Sequence, residues 1–487
     1  MPVLLIAEKV SRRSNNVVTS NETLKKNLNI IILGLAALSL SSCKTLYGKY
    51  ERPDVKTNGI VRDSASISDT LAVKDTTSFA NIPWRSVFTD PQLQTLIEKG
   101  LANNANLLNA ALNVKMAEEQ LKCAKLAFIP SFTFTSQGTI SSWDGNKATK
   151  TYTLPVNASW SVDLFGNLLS QKRGAQMALL QIKDYQVSVQ TNLVANIANM
   201  YYSLLMLDKQ LEIVNDMEGL TKDTWQTMQL LKDAKMGYRS TSVQAAESNY
   251  YSVLAQKADL KRQIRETENS LSLLLGEQAH AIARGKLDNQ SLPANFSTGV
   301  GLQLLNNRAD VHAAEMNLAQ CFYGVETARS KFYPSITISG TGAFTNSAGA
   351  GIVNPGKWLL SAVGSLVQPI FQNGRLIAGL KVAKMQYEQA YNTWQDAVLK
   401  AGSEVSNALV LYNSSDEKGR IEAQQIEVLK QNVEDTRKLM GEAGGSYLEV
   451  IQAQSSLLNV QLSKVADDFY KMQAVVNLYY ALGGGAK

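Results

Sequence analysis

The chain is built from two copies of one unit. A shift of 204 positions superimposes Asn103, Ala110, Phe128, Pro130, Ser131 and Gly138 on Asn307, Ala314, Phe332, Pro334, Ser335 and Gly342. A shift of 207 positions superimposes Gly237, Ala246, Leu271 and Gly276 on Gly444, Ala453, Leu478 and Gly483. The change of offset indicates one small insertion between the copies. Any fold for this chain must therefore contain two similar halves.

Each unit has the same predicted order of elements. A helical stretch of about forty residues, from Asp90 to Phe128 in the first unit, ends at a proline. Two strands follow, and then two long helices joined by a glycine turn. No proline interrupts 167–236 or 374–440, so each stretch predicts a helix about 100 Å long at 1.5 Å per residue. The helices predicted from Ser242 to Gly276 and from Tyr447 to Gly483 run back antiparallel.

Four strands are predicted, two in each unit. The clearest has apolar residues at every second position: Tyr152, Leu154, Val156, Ala158, Trp160, Val162 and Leu164. This alternation predicts a strand with one apolar and one polar face. The others are Phe132–Thr135, Ile336–Ser339 and Trp358–Val367, of which the last is apolar on both faces.

A sheet of four strands cannot stand alone in a bilayer, because its edge N–H and C=O groups would be unpaired in hydrocarbon. Single-chain membrane barrels begin at about eight strands. If these strands cross a membrane, several chains must close one barrel. Aromatic residues near the strand ends, namely Trp143, Tyr152, Trp160, Phe344 and Trp358, are candidates for interfacial belts. The alternative is a soluble sheet in which they form a core.

The N-terminus predicts export. Lys25 and Lys26 precede an apolar run from Leu28 to Leu40, too short to span a bilayer. The Leu-Ser-Ser-Cys that ends at Cys43 resembles the lipobox of bacterial lipoproteins, which implies that Cys43 becomes the first mature residue and carries lipid. We expect a signal peptide over 1–42, with the first ~23 residues an over-extended start. A tether over 43–80, repeat one over 81–290 and repeat two over 291–487 follow.

The side-chain inventory argues against an enzyme. His280 and His312 are the two histidines, and three cysteines occur, so no metal site and no cofactor are predicted. No nucleophile, zinc or phosphate-loop motif is present. The net charge is +6 without a dense basic block, so no nucleic-acid partner is expected.

Several segments resemble the outer-membrane efflux protein family, the TolC-type channels, and most closely its lipid-anchored branch. They are 84–90 (WRSVFTD), 160–166 (WSVDLFG), 307–311 (NRADV), 368–375 (QPIFQNGR) and 446–450 (SYLEV). The resemblance covers nearly everything after Cys43. The third segment departs from the family's Arg-Pro-Asp pattern, since Ala309 replaces the proline.

The resemblance implies a mainly α fold with a small transmembrane β part, assembled as a homotrimer. Three chains would pool four strands each into a twelve-stranded β-barrel, and the helices would form a periplasmic α-barrel tunnel. Strand-to-helix corners would be formed by Asp163, Phe165 and Gly166 and by Pro369, Phe371 and Gly374. The tunnel tip and gate would include Gly237, Ser242, Gly444, Gly445, Glu449 and Gln452.

The implied function is that of the outer-membrane exit duct of a tripartite efflux pump. Small molecules would pass from an inner-membrane transporter and a periplasmic adaptor through a passive, lipid-anchored channel. A type I protein-secretion channel and a periplasmic coiled-coil scaffold lipoprotein are the alternatives. The lipobox favours efflux, and the tandem repeat disfavours an adaptor, which would contain one helical hairpin.

Overall fold

The computed structural model describes residues 48–54, 82–142, 144–236, 239–291, 308–345, 357–440 and 447–485. The predicted lipidation residue Cys43, the aromatic residue Trp143 and the tip glycines Gly237, Gly444 and Gly445 lie outside these ranges. The signal peptide, most of the tether and the tips of both helical hairpins therefore stay predictions.

Eight α-helices are described: α1 (Trp84–Val87), α2 (Pro91–Asn103), α3 (Ala105–Leu126), α4 (Asn167–Asp233), α5 (Ser240–Leu274), α6 (Ala309–Ser330), α7 (Arg375–Met440) and α8 (Tyr447–Ala481). Helices α3 and α6 have 22 residues each and begin 204 positions apart. Helices α5 and α8 have 35 residues each and begin 207 positions apart. The helix bounds thus repeat with the same offsets as the sequence.

The first helical stretch differs from the prediction, because it is divided at Asn104. This residue has an extended backbone with ψ of 122°. Its side-chain oxygen accepts a hydrogen bond from the N–H of Leu107 at 3.1 Å, and its amide nitrogen donates to the carbonyl of Leu274 at 2.9 Å. The first bond caps a new helix. The predicted start is confirmed, since Asp90 caps α2 by accepting from the N–H of Gln92 at 2.8 Å.

The strands are β1 (Ser131–Phe134), β2 (Gln137–Ser141), β3 (Thr149–Val162), β4 (Ser335–Thr345) and β5 (Lys357–Val367), paired antiparallel in the order β1-β3-β4-β5, with β2 also beside β3. Strands β1 and β2 keep one register on β3 and are interrupted opposite Pro155. Proline has no N–H to give to the ladder. They therefore act as one strand, β1/β2, and the described chain supplies four adjacent strands.

The long helices form two antiparallel pairs. Between α4 and α5, Glu218 binds Lys257 at 2.5 Å and Trp225 stacks on Tyr250. Between α7 and α8, Lys418 binds Asp467 at 2.8 Å. At 67 residues, α4 is far longer than the ordinary helix of about 11–12 residues. Within the described ranges, none of the helices combines the length and the apolar character that a membrane span requires.

The described chain divides into two compact units that each draw on both repeats. One comprises the sheet and adjoining helix ends, within Gln120–Gln176 and Ala319–Glu388. The other holds most of the helical residues, within Pro53–Glu119, Met177–Leu318 and Gln389–Lys487. Its apolar core includes Phe88, Leu93, Ile97, Ile197, Tyr201, Leu271 and Val476.

Candidate functional site

The sheet has one apolar face, made by its even-numbered residues. Residues that lie directly opposite each other in an antiparallel pair point to the same face. Leu154 lies opposite Phe344, and Trp160 lies opposite Ile338. Exposed apolar side chains of this face are Phe132, Phe134, Ile140, Leu154, Val156, Trp160, Ile338, Leu360 and Leu366. So much unburied apolar surface on one face suits contact with hydrocarbon rather than with water.

The opposite face, made by the odd-numbered residues, is rich in serine and threonine. The hydroxyls of Thr153 and Thr345 are 3.1 Å apart, and Thr341 donates to the side-chain oxygen of Asn157 at 2.8 Å. Strand β5 departs from this pattern with Leu359, Val363 and Val367, as predicted for the fourth strand. This alternation is typical of the wall of a transmembrane β-barrel, which has a water-filled interior and a lipid-facing exterior.

Aromatic residues occur at both ends of the sheet. Trp160 lies near the helical end of β3, where its indole N–H donates to the carbonyl of Phe128 at 2.9 Å. Tyr152, Phe344 and Trp358 occupy register positions toward the other end. Aromatic residues at register positions near both ends of the sheet are the distribution expected of interfacial belts.

The first predicted corner is packed within the chain. A carboxylate oxygen of Asp163 accepts from the N–H of Leu169 at 2.7 Å, which satisfies a free donor in the first turn of α4. Gly166 is buried and has a φ of 69°, a value that glycine adopts without strain. Phe165 stacks on Tyr333 with ring centroids 5.2 Å apart. All three predicted residues thus shape the change from strand to helix.

The second predicted strand-to-helix corner exposes large apolar side chains in the single chain. Asn373 and Gly374 turn the backbone with φ values of 49° and 77°. The half-buried Pro369 precedes Ile370 and Phe371, whose exposed fractions are 96% and 81%. Two large apolar side chains this exposed at a sharp turn indicate a surface that another molecule covers.

Three of the residues predicted for the tip and gate lie near the starts of α5 and α8. Ser242 is buried near the start of α5, whereas Glu449 and Gln452 are exposed in α8. Their neighbours Val243 and Val450 share one apolar cluster, together with Met228 and Ala246. Ser242 and Glu449 therefore lie beside one apolar cluster that joins α5 to α8.

A residue that the sequence analysis did not select joins the hairpins behind this tip. Gln454 on α8 is fully buried and donates to the hydroxyl of Thr224 on α4 at 2.7 Å. Thr224 in turn donates to the carbonyl of Leu220. The burial of Gln454 is not predictable from the local sequence, because its partner Thr224 lies 230 positions away in the chain.

Arg308, in the resembling segment 307–311, has a structural role in the helical part of the chain. Its guanidinium is buried and forms ion pairs with Asp310 and with Glu404, both at 2.6 Å. It also donates to the carbonyl of Ala481 at 3.2 Å. Burial alone would raise the pKa of Asp310, but the hydrogen bond and charge of Arg308 hold that pKa below its usual value. One arginine thus joins α6, α7 and the end of α8.

A second polar cluster joins α2 to the segment after α5. The carboxylate of Asp90 accepts from the hydroxyl of Tyr201 at 2.6 Å and from the side chain of Gln290 at 2.7 Å. Burial raises the pKa of Asp90, and these hydrogen bonds more than offset it, so the pKa lies below its usual value. The sequence analysis identified only the helix-capping role of Asp90, because its partners are more than a hundred residues away.

Comparison with known proteins agrees with these features. The model of the family described as "Outer membrane efflux protein" matches residues 96–277 and 301–484, once for each repeat. The cation efflux system protein CusC of Escherichia coli K12 is 28% identical over 92% of this chain and 98% of the relative. The probable outer membrane lipoprotein SilC of Salmonella typhimurium is 25% identical over 92% of this chain and 96% of the relative.

A solved structure has the same fold. The MtrE outer membrane channel of Neisseria gonorrhoeae, in its open state, superimposes with a TM-score of 0.79 at 22% identity, covering 90% of this chain and 98% of that one. The predicted resemblance and the mainly helical fold with a small sheet are confirmed. Because the family model covers more than half of the sequence, the chain belongs to the outer membrane efflux protein family, a family of outer-membrane channels and not of enzymes.

Proposed function

We propose that this protein is the exit duct of a tripartite efflux pump, formed by three copies of the chain. The observation that carries the proposal is the two-faced, four-stranded sheet. In the part of the chain that the structure describes, the outer edges of β1/β2 and of β5 have no strand beside them. Unpaired edges are not tolerated in a bilayer, so the sheets of several copies must close on one another.

The helices support assembly from more than one copy. On α3, the side chains of Leu108, Leu112 and Met116 form an exposed apolar stripe. Leu112 is 54% exposed, whereas Met316, its counterpart 204 positions later on α6, is 8% exposed. This position is therefore buried within the chain on α6 and exposed on α3. A neighbouring copy of the chain would bury the exposed stripe of α3.

A second stripe lies on α7. Leu399, Val410 and Ile421 are exposed and follow one another at intervals of eleven residues, which is close to three helical turns and so keeps them on one face. Two exposed apolar stripes on one chain are what a closed ring of copies requires, because each copy then covers its neighbour on both sides.

The remaining parts of the duct follow from the resemblance. Cys43 would carry the lipid anchor, and the probable outer membrane lipoprotein SilC supports this assignment. A periplasmic adaptor and an inner-membrane transporter would bind at the tip made by the hairpins of α4 with α5 and of α7 with α8. The duct would be passive and would pass small molecules that the transporter delivers. We also propose the division into 43–80, 81–290 and 291–487 described above.

Native mass spectrometry of the detergent-extracted membrane protein tests this function. We expect three chains, each beginning at Cys43 and heavier by the mass of its lipid. A trimer without lipid would contradict the proposed lipid anchor but would remain consistent with the proposed duct. A soluble monomer that retains residues 1–42 would contradict the duct itself.

The acidic residue at the tip is expected to limit leak. Three copies of Glu449 converging on one axis would repel anions and hold the aperture selective. The variant Glu449→Ala should therefore raise the sensitivity of cells to large antibiotics that normally enter slowly. The matched variants are Glu449→Gln, which removes the charge alone, and Gln452→Ala, one turn further along α8. Unchanged sensitivity of Glu449→Ala cells would remove Glu449 from the gate.

A further inference from the structure

The two repeats differ at one position that the fold makes equivalent. Helices α3 and α6 begin 204 positions apart, and Asn104 and Arg308 are the residues that immediately precede them. Asn104 donates to the carbonyl of Leu274, and Arg308 donates to the carbonyl of Ala481. These two acceptors are 207 positions apart, as are the starts of α5 and α8. Asn104 and Arg308 therefore occupy the same place in their repeats.

In the second repeat, charged side chains occupy this place. The guanidinium of Arg308 reaches from the start of α6 to Glu404 on α7, and it also pairs with Asp310. One turn before Glu404, Lys400 pairs with Asp396 at 2.7 Å. The helices α6 and α7 are thus joined by a buried arginine and flanked by further charges.

In the first repeat, uncharged side chains occupy the corresponding positions. Helices α4 and α7 begin 208 positions apart, and the fully buried Ile197 and Val405 have the same offset. With these offsets, Asn104, Asn106, Ser188, Asn192 and Asn196 correspond to Arg308, Asp310, Asp396, Lys400 and Glu404. Asparagine is too short to join the helices as Arg308 does. An open groove of about 450 Å³ lies there, between α3, α4 and the end of α5.

The lining of this groove is rich in amides and has no charge. Six of its twelve residues are asparagine, and none of the twelve is Asp, Glu, Lys or Arg. Asn106, Asn109 and Asn113 follow one another at helical spacing along α3, and the side chains of Asn106 and Asn109 are exposed. An amide side chain both donates and accepts hydrogen bonds. The groove therefore offers donors and acceptors to a ligand that enters it.

This lining selects the chemistry of a ligand. An ion would lose its water without gaining a partner of opposite charge, and sites for drug-like molecules are predominantly apolar. A hydroxyl group donates and accepts in the same way as an amide, so a ligand with many hydroxyls can bond to several asparagines. Tyr185, which is 52% exposed, adds an aromatic surface for the C–H face of a sugar ring. We propose that the groove binds a neutral oligosaccharide, an activity beyond the proposed duct.

The groove and the surface assigned to a neighbouring copy are different faces of α3. Leu108 and Leu112, in the exposed apolar stripe, immediately precede Asn109 and Asn113. One residue turns an α-helix by about 100°. A neighbouring copy that covers the stripe therefore contacts another side of α3 from the one that lines the groove.

Calorimetric titration of the full-length protein tests the proposal, after extraction in a detergent without a sugar headgroup. The probes are chitotetraose and maltotetraose, which are uncharged, tetragalacturonate, which is negatively charged, and the uncharged peptide tetraglycine. We expect a neutral tetrasaccharide to bind at least about tenfold more tightly than tetragalacturonate or tetraglycine. The tighter of the two neutral sugars shows whether acetamido groups, present only in chitotetraose, are recognised.

Two variants change the groove in different ways. Asn192→Lys introduces the side chain that the second repeat has at Lys400, and Asn109→Ala with Asn113→Ala removes two amides without adding charge. Each should weaken the binding of the neutral sugar by about tenfold or more. The matched control is Lys400→Asn, the reverse change at the equivalent exposed position, which should bind as the parent does. Native mass and far-UV circular dichroism check that each variant assembles and folds like the parent.

Three results would overturn the proposal. Neither neutral tetrasaccharide binds the parent, or both groove variants bind it as tightly as the parent, which would locate the binding elsewhere. The third is that tetraglycine binds in place of the sugars and is lost from the groove variants, which would make the groove a peptide site. None of these results changes the native mass, so the proposed duct is judged separately.

Discussion

An arginine at Ala362 should strongly reduce the amount of assembled protein in the outer membrane. Ala362 is the middle residue of β5 and lies opposite Gly340 on the apolar face. A charged residue on the lipid face of a barrel costs about 2–4 kcal/mol at the bilayer midplane, and a ring of copies would repeat that cost in every copy. The measurement is the fraction of chain recovered as native oligomer from membranes, and the urea midpoint after folding into lipid vesicles.

The adjacent position provides the control for this prediction. Ser361→Arg introduces the same side chain into the same strand, one residue away, on the face that we assign to the water-filled interior. We expect near-normal assembly for this variant. Equal loss from both variants would mean that the even-numbered face does not contact lipid, and that the barrel assignment of the sheet is wrong.

Replacing Arg308 by leucine should destabilise the helical part by about 3 kcal/mol. The guanidinium is buried, with 3% of its side chain exposed, and its loss leaves two carboxylates and the Ala481 carbonyl without their donor. We expect a loss of stability at the lower end of the usual range for breaking a buried ion pair, because Asp310 and Glu404 are themselves partly exposed. Chemical denaturation of the detergent-extracted protein, followed by far-UV circular dichroism, measures the effect.

Lys430→Leu is the matched control. It removes an ion pair with Glu427 on the exposed surface of α7, where such pairs contribute about 0–1 kcal/mol. A similar loss of stability in both variants would show that the burial of Arg308 does not set its importance.

The same substitution should also change how stability depends on pH. The pKa of Asp310 in the folded chain lies below its ordinary value of 3.8. A lowered folded pKa contributes stability above the unfolded value, and this contribution is lost as the pH falls through the folded pKa. Without Arg308 the lowering is removed, so Arg308→Leu should lose less stability than the parent on acidification below 3.8. An identical acid profile would contradict the role assigned to Arg308.

Much of the fold follows from local patterns. Freedom from proline over two long stretches predicts α4 and α7, and strict alternation around Trp160 predicts β3, because such patterns reflect which face of an element is buried. The tandem repeat predicts the same order of elements in both halves. These features need only neighbouring residues, so the sequence alone contains them.

The candidate site is predicted less completely. The corner residues Asp163 and Gly166 lie between β3 and α4. Phe165 is packed whereas Phe371 is exposed, although both occupy similar motifs. The roles of Glu449 and Gln452 stay predictions, and Gly237, Gly444 and Gly445 lie outside the described residues. A gate formed between copies is a property of the assembly, which one chain does not contain.

By itself, the sequence determined that this protein has two similar halves, long helices, four strands of which the clearest has one apolar face, and membership of its family. Only the tertiary structure decided that Asn104 divides the first helix, that Pro155 interrupts the first strand, that Arg308 is buried among three helices, and how the strands are aligned. The physical reason is the range of the interactions. Periodicity along the chain sets each element, whereas caps, buried ion pairs and strand register depend on partners that are distant in sequence and become neighbours only on folding.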